Sequence, residues 1–386
     1  MVAAVRSPVA RRDGALSAIH PADLSALVLN ALIERVDVDA AVVEDVIWGC
    51  VSQVGEQTSN IGRNAVLSAG WPESIPAVTI DRQCGSSQQA ISFAAAGLVS
   101  GQYDVVVAGG VESMSRVPLG SAAAVSGEPY GSAALARYAD RLDSAGLTTF
   151  SQGVAAELIA EQWDLERVDL DEYSLESHRR ATVATDSGAF EAELVPVALP
   201  DGTVMTADEG IRRNTTMERL AALPTPFRAE GVVTAGSASQ ISDGSAALLM
   251  MTEKAAARLQ LTPLARVHTC VVVGDDPVLM LTGPISATDR LVQRSGVSLD
   301  DIATFEVNEA FAPVPLAWLE ETGVDPALLN PLGGAIALGH PLGATGARLA
   351  TTLIHHLRRT GGRYGLQSMC EGGGQANATL FESLLL

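Results

Sequence analysis

"CGSSQQAISFAAAGLVSGQYDVVVAGG", residues 84–110, returns in altered form about 256–260 residues later as "LGATGARLATTLIHHLRRTGGRYGLQSMC", residues 342–370. Each copy is a small-residue turn, an apolar helix, a glycine break and an apolar strand. The strands ahead of them match as well: "VEDVIWGCV" (43–51) parallels "LDDIATFEVN" (299–308). A repeat of helix and strand with short links implies α/β packing on a mostly parallel sheet. Strand 104–109 lacks polar alternation, as expected for a sheet covered on both faces. The plan read from this is two similar βα halves, residues 1–255 and 256–386. The stretch 112–238 interrupts the first half. It is charged ("AEQWDLERVDLDEYSLESHRRA", 160–181) and broken by Gly and Pro, so it reads as a helical loop domain that covers a site.

Composition agrees with two packed halves. The chain has 386 residues, more than one ordinary domain, with 47% hydrophobic and only 4% aromatic residues and 36 glycines. No apolar run reaches the ~18–20 residues that span a bilayer. The opening "MVAAVRSPVARRDGALSAI" reads as the tail of a first strand, as a shortened start would leave, rather than as a transit peptide. A net charge of −20 repels nucleic acid and anionic membranes, so neither is an expected partner. Cys50, Cys84, Cys270 and Cys370 have no metal-ligand spacing and form no disulfide framework; reduced thiols in a cytoplasmic protein fit better.

Four short stretches carry candidate chemistry: Cys84 in "RQCGSS", Asn308 in "EVNEAFAP", His340 in "GGAIALGHPLGATGAR" and Cys370 in "MCEGGGQ". Singly, each has a structural reading, since a lone cysteine is usually core and glycine runs usually mark turns. A phosphate loop is a poor rival because no G-x-x-x-x-G-K-[ST] occurs. In the repeat, however, Cys84 and the His340 loop lead equivalent helices, whose N-termini should converge on one cleft. A helix N-terminus lowers a thiol's pKa, and a nearby imidazole can take its proton. Cys84 is therefore placed to be a nucleophile.

Taken together, "CGS", "NEAF", "GHPLGATG" and "CEGGG" resemble, in order, the four active-site motifs of thiolases, the acyl-CoA C-acyltransferases. The resemblance runs from "AVRSPVARRDGALS" to "MCEGGGQANATLFE". It implies a duplicated five-layered α/β fold with a loop domain, and assembly as a homodimer or homotetramer. It also implies cleavage of 3-ketoacyl-CoA by CoA to acetyl-CoA and a shortened acyl-CoA, with CoA as co-substrate and no further cofactor or metal. By motif, Cys84 resembles the acyl-accepting nucleophile and His340 the residue that activates it and holds the thioester oxygen. Asn308 resembles the residue that positions a water in that oxyanion hole, and Cys370 the acid/base. The backbone N–H groups of Cys84 and Gly372 would form a second oxyanion hole. Arg212 of "IRRN" and Ser239 of "TAGSASQISDG" would face the nucleotide and pantetheine parts of CoA, and Met280 and Phe311 would line the acyl pocket.

Two thiols suit this reaction, because the enolate of acetyl-CoA needs a proton as the C–C bond breaks. A thiol near ~8.5 can give it and take one back. At one place the chain departs from the family: short-chain biosynthetic members carry a His–Met pair where "SQGVAAELIAEQW" has Ser151 and Gln152. That disfavours the alternative of an acetoacetyl-CoA-forming enzyme. It points to degradation of a larger acyl group, from fatty acid β-oxidation or steroid breakdown, and "RQCGSSQQA" and "MCEGGG" resemble the actinobacterial thiolases of lipid and steroid breakdown. A decarboxylating ketoacyl synthase of the same fold would have His in place of Cys370. A non-catalytic acyl-CoA or lipid-binding relative would have lost one of the four motifs. Glu371 adds a carboxyl beside the second thiol.

Overall fold

The computed structural model describes residues 1–127 and 129–384. Glu128 of the 112–238 stretch and Leu385 and Leu386 of the second half lie outside the described residues. Twelve strands occur in chain order: β1 Ala3–Arg6, β2 Ala10–Arg11, β3 Asp45–Gly49, β4 Ala77–Ile80, β5 Val105–Ser113, β6 Val197–Ala198, β7 Val204–Met205, β8 Ser242–Met251, β9 Ala265–Gly274, β10 Ile302–Val307, β11 Tyr364–Glu371 and β12 Gln375–Ser383. The first sheet runs β1-β8-β5-β3-β4 with β2 beside β8, the second β10-β11-β12-β9, and β6 pairs with β7. The sheets match in strand order and pairing direction, β3-β5-β8-β1 against β10-β11-β12-β9. The place of β4 is taken in the second half by Leu329, bridged in parallel to Phe305. There the Asn330 carboxamide accepts from Val307 N and donates to Val307 O, extending the ladder with a side chain.

The expectation of a mostly parallel sheet is corrected. Only β3–β4, β3–β5 and β10–β11 are parallel, and the other main pairings are antiparallel. The cause is local at β11–β12: Gly372, Gly373 and Gly374 close the connection in a tight turn, with φ +84° and +74° at the last two. A turn that short can only return the chain antiparallel.

Layers follow from which faces are apolar. Helices Pro21–Glu34 and Ile61–Ser68 cover one face of the first sheet, around buried Trp48, Val107 and Leu249. Helices Ser86–Ser100 and Leu342–Thr360 fill the space between the sheets, packed on Ala108, Leu248 and Phe381. Helices Gly283–Ser295 and Pro313–Thr322 cover the outer face of the second sheet around Trp318 and Phe305. The five layers expected for a thiolase fold are present. Helix Leu342–Thr360 is buried at every position from Leu342 to Ile354, hence its run of small and apolar residues, with Arg348 the one charged side chain among them.

The middle helices meet at their N-termini, and glycine permits the contact. A methyl group at Gly343 would meet Val111 O at 2.6 Å and Cys50 Cα at 2.7 Å. One at Gly346 would strike the Gln88 backbone of the partner helix. Ser87 Oγ accepts from Ala347 N at 2.8 Å across this crossing. Between β5 and β8 lie short helices, the longer helices Gln152–Gln162 and Arg167–Asp186, and the β6–β7 ribbon. No helix among the described residues is long and apolar enough to cross a membrane.

Candidate active site

The nucleophile candidate sits on a tight elbow between β4 and helix Ser86–Ser100. Asp81 Oδ1 accepts from Gln83 N at 2.6 Å, and Gln83 takes a left-handed φ of +48°. Ser86 Oγ locks the turn by donating to Gln83 O at 2.6 Å and accepting from Arg82 N at 2.9 Å. Holding a non-glycine residue in this region costs about 1–3 kcal/mol, and the elbow projects Cys84 toward the crossing of the middle helices. Cys84 is 6% exposed. With His340 it lines a cavity of about 200 Å³ that is otherwise largely apolar, with Met114, Phe227 and Leu342 among its walls.

His340 reaches the same cavity from the other half. Its Nδ1 lies 2.7 Å from Thr345 Oγ1, whose own hydroxyl donates to Pro341 O at 2.8 Å. A hydroxyl that has spent its proton can only accept, so Nδ1 carries the hydrogen and Nε2 presents a lone pair. Asn308 Nδ2 stands 3.4 Å from Nε2, while Asn308 Oδ1 is buried without a partner. Burial, and then the Arg348 charge, lower the His340 pKa to about 3, so the ring is neutral near pH 7.

Glu112, at the end of β5, organises the approach. Its carboxylate accepts from Val51 N, Ser52 N, Gln57 Nε2 and, across the halves, Gly343 N at 2.9 Å. It thus caps helix Leu342–Thr360 from another part of the chain, an interaction with no local sequence signature.

Cys370, fully buried on β11, is not on the cavity wall but stands close enough to Cys84 for its charge to act on that thiol. Burial and then the Glu371 carboxyl push its thiol up to about 12. Burial, Cys370 and Glu371 hold Cys84 well above the ordinary thiol range too. The expectation that the helix terminus lowers the Cys84 pKa is therefore corrected: full desolvation outweighs a few oriented N–H groups. The second thiol is likewise far from a group poised near neutrality. Glu371 itself is fully buried with both oxygens unpaired, and burial raises it to about 8 against the opposing pull of Arg82. It packs on the Gly85 backbone, one residue past the nucleophile, where any side chain at 85 would collide with it.

The remaining candidates separate into three places. Ser239 and Phe311 line the cavity, Phe311 edge-on to Phe227 with ring centroids 5.8 Å apart. Arg212 is exposed and lines a different hollow of about 550 Å³ with Arg213 and Arg219. Met280 does not line the cavity; it is buried in the core around the second sheet, at φ +52°. Gly372 lies in the β11–β12 turn, where a methyl group would stand 3.0 Å from Gln83 Oε1 and 3.3 Å from Gln152 Nε2. Gln152 lines the cavity, whereas Ser151 caps helix Gln152–Gln162 by accepting from Val154 N. Sequence reasoning missed Gln83, Thr345 and Glu112. Gln83 had a signal in its place next to the nucleophile, and Thr345 in its place one helical turn past His340.

This duplicated α/β fold, with a cysteine and a neutral histidine on one cavity, is that of an acyltransferase. The chain belongs to the thiolase family: the thiolase N-terminal domain matches residues 1–254 and the thiolase C-terminal domain residues 261–383. A steroid 3-ketoacyl-CoA thiolase of Mycobacterium tuberculosis is 51% identical, covering 100% of this chain and 94% of its own. A 3-oxoadipyl-CoA/3-oxo-5,6-dehydrosuberyl-CoA thiolase of Escherichia coli is 43% identical over 98% of this chain and 97% of its own. Among solved structures, an acetyl-CoA acetyltransferase of Bacillus anthracis superimposes with a TM-score of 0.89 at 37% identity, covering 100% of this chain and 98% of its own.

Proposed function

We propose that this thiolase works in the degradative direction, cleaving a 3-ketoacyl-CoA with CoA through an acyl-Cys84 intermediate. The observation that carries the reading is the shared cavity, with His340 Nε2 unprotonated and Cys84 protonated. Thiol and imidazole are both neutral at rest, so the proton moves from Sγ to Nε2 as Sγ attacks the 3-keto carbon. The new Nε2–H then faces the thioester oxygen, on which charge builds as the C2–C3 bond weakens toward the enolate, with a water held by Asn308 as the second donor. The C2–C3 bond breaks with its electron pair on C2, and the Cys370 thiol protonates that carbon to give acetyl-CoA. The thiolate left behind is a strong base, because burial disfavours its charge. It takes the proton of the incoming CoA thiol, whose sulfur attacks the acyl-Cys84 carbonyl. Cys84 leaves and recovers its proton from His340. Backbone N–H groups of Cys84 and Gly372 are the proposed donors to the C3 oxygen, which becomes the acyl oxygen, in both halves of the reaction.

Ser239 and Phe311 are proposed to flank the pantetheine and acyl parts, and Arg212 the phosphates of CoA. The Arg212 role is supported by a local basic hollow on a chain of net charge −20. Met280 would shape the acyl side only through packing. The names of the Mycobacterium and Escherichia relatives support an acyl group larger than acetoacetyl. A cytoplasmic location and a homodimer or homotetramer complete the reading. The assembly is supported by the edge strand β4, with Val78 43% exposed, and by Phe93 at 48% and Val99 at 90% on the adjoining helix. The test is thiolysis of 3-ketoacyl-CoA esters of graded size, with mass spectrometry of the protein after incubation with substrate. An acyl adduct on the Cys84 peptide is expected; turnover with the adduct on another residue, or no turnover, would overturn the assignment.

A further inference from the structure

The cavity has mostly apolar walls, yet besides Cys84 and His340 four polar side chains line it: Gln83, Gln152, Ser239 and Gln240. Gln240 is already committed, since its Nε2 donates to Gly210 O, Ile336 O and Ala337 O. The carboxamides of Gln83 and Gln152 are not. Gln83 Nε2 is tethered to Asp81 at 3.3 and 3.4 Å, which leaves its Oε1 as a free acceptor. Gln152 makes no side-chain hydrogen bond among the described residues.

Both amides converge on one point. A methyl group at Gly372 would lie 3.0 Å from Gln83 Oε1 and 3.3 Å from Gln152 Nε2. Gln83 directly precedes the nucleophile and Gly372 is two residues past Cys370, and this acceptor and donor line the same cavity as Cys84. Gln152 is brought there by the start of helix Gln152–Gln162, whose Gly153 is pressed against Phe227 of the cavity wall.

We propose that Gln152 and Gln83 are specificity-determining residues that read a neutral oxygen on the acyl group. The preferred substrates are then 3-ketoacyl-CoA esters whose acyl chain bears a ketone or hydroxyl near the thiolysis site, over plain alkyl esters of equal length. The inference rests on the thiolase reading above. Charge argues for a neutral oxygen rather than a carboxylate. Among the described residues no cationic side chain lines the cavity, and two acids stand close by: Asp81 on the Gln83 amide and Glu371 on the Gly85 backbone. A plain alkyl chain would strip water from both amides and return no hydrogen bond. A ketone can accept from Gln152 Nε2, and a hydroxyl can also donate to Gln83 Oε1. The cost of leaving such groups unpaired corresponds to a preference of about 10-fold to 100-fold in kcat/KM.

The experiment compares 3-ketoacyl-CoA esters of one chain length: unsubstituted, ketone- or hydroxyl-bearing at successive carbons, and ending in a carboxylate. Each is assayed with the wild type, Gln152→Leu and Gln152→Asn. The wild type is expected to favour one oxygenated ester over the unsubstituted one by about 10-fold or more. Gln152→Leu should collapse that ratio toward one, and Gln152→Asn, which keeps the amide on a shorter arm, should retain part of it. A wild-type ratio near one at every position overturns the proposal even if the variants do not fold. So does a ratio that survives Gln152→Leu, or a best substrate that ends in a carboxylate. Turnover without preference sinks this inference alone; no turnover of any ester sinks the thiolase reading with it.

Discussion

The two halves share a scaffold and differ in what joins its strands. In the first half, β5 and β8 are separated by residues 114–241, which hold most of the short helices. In the second, the equivalent β11 and β12 are joined by three glycines. The helix-leading turns differ too: one is a hydrogen-bonded elbow that presents a thiol, the other a glycine loop that presents an imidazole. Duplication explains why two helix N-termini meet at the centre. Divergence of the connections explains why the roles there are unequal. The long insertion brings Gln152, Phe227 and Ser239 over the cavity, and the short hairpin leaves Cys370 and Glu371 buried beneath it.

The largest expected effect comes from the first-half turn. Cys84→Ala removes the attacking atom, and thiolysis should fall by at least about 10⁴-fold, with no acyl adduct anywhere on the chain. Steady-state rates and intact-protein mass spectrometry check it. Residual turnover within about tenfold of wild type would give the nucleophile to the other half and break the comparison.

The second-half thiol should matter less and differently. Cys370→Ala is expected to cost about 10²–10⁴-fold in carbon–carbon chemistry, while acylation of Cys84 by a thioester survives because His340 remains. Deuterium exchange into the methyl group of acetyl-CoA, run beside Cys84 labelling, separates the two. Equal loss of both would mean that Cys370 only shapes the site; intact exchange would move the acid/base to another group.

How much of this was legible in the sequence depends on how local each feature is. Cys84, Asn308, His340 and Cys370 stand in short motifs, and each half repeats strand, helix and strand in order, so the two halves and the catalytic candidates could be read directly, and the five layers followed from the family that the motifs resemble. The strand directions could not, because an apolar run looks the same in a parallel or antiparallel pair. Nor could the pKa values: the helix terminus at Cys84 is visible in sequence, but the burial and the Glu371 carboxyl that overrule it come from residues almost 290 positions away. Met280 fell into the core for a similar reason, since a motif does not show which side of a turn faces a cavity. The Glu112 cap on Gly343 joins the two halves and has no signature in either.

The insertion that only the first half carries can be tested through Arg212. Its guanidinium makes no hydrogen bond among the described residues, whereas neighbouring Arg213 pairs with Asp186 at 2.8 and 2.9 Å. Arg212→Ala should raise KM for CoA by about tenfold, one lost charge-assisted contact, with little change in kcat. An equal loss in Arg213→Ala would show that the whole hollow, rather than Arg212, holds the phosphates.

The smallest effect belongs to the short hairpin and is read in pH. Glu371 is neutral below about 8 and charged above it, and its charge stands beside both thiols. Ionisation there opposes the negative charge that develops on sulfur and oxygen during acyl transfer. The rate of Cys84 acylation should therefore fall a few-fold, about 3-fold to 10-fold, as pH rises through 8. His340, lowered to about 3, adds no acid limb between pH 5 and 7. Stability should follow the same sign. The folded protein holds this proton to a higher pH than the unfolded chain, so the contribution is complete below the ordinary Glu range and is lost as pH rises through about 8. Glu371→Gln removes the titration while keeping the shape, and should flatten the decline in acylation rate between pH 7 and 9 and that in thermal midpoint between pH 5 and 8. A decline that persists unchanged in Glu371→Gln would assign it to the thiols themselves, and the hairpin would then contribute geometry alone.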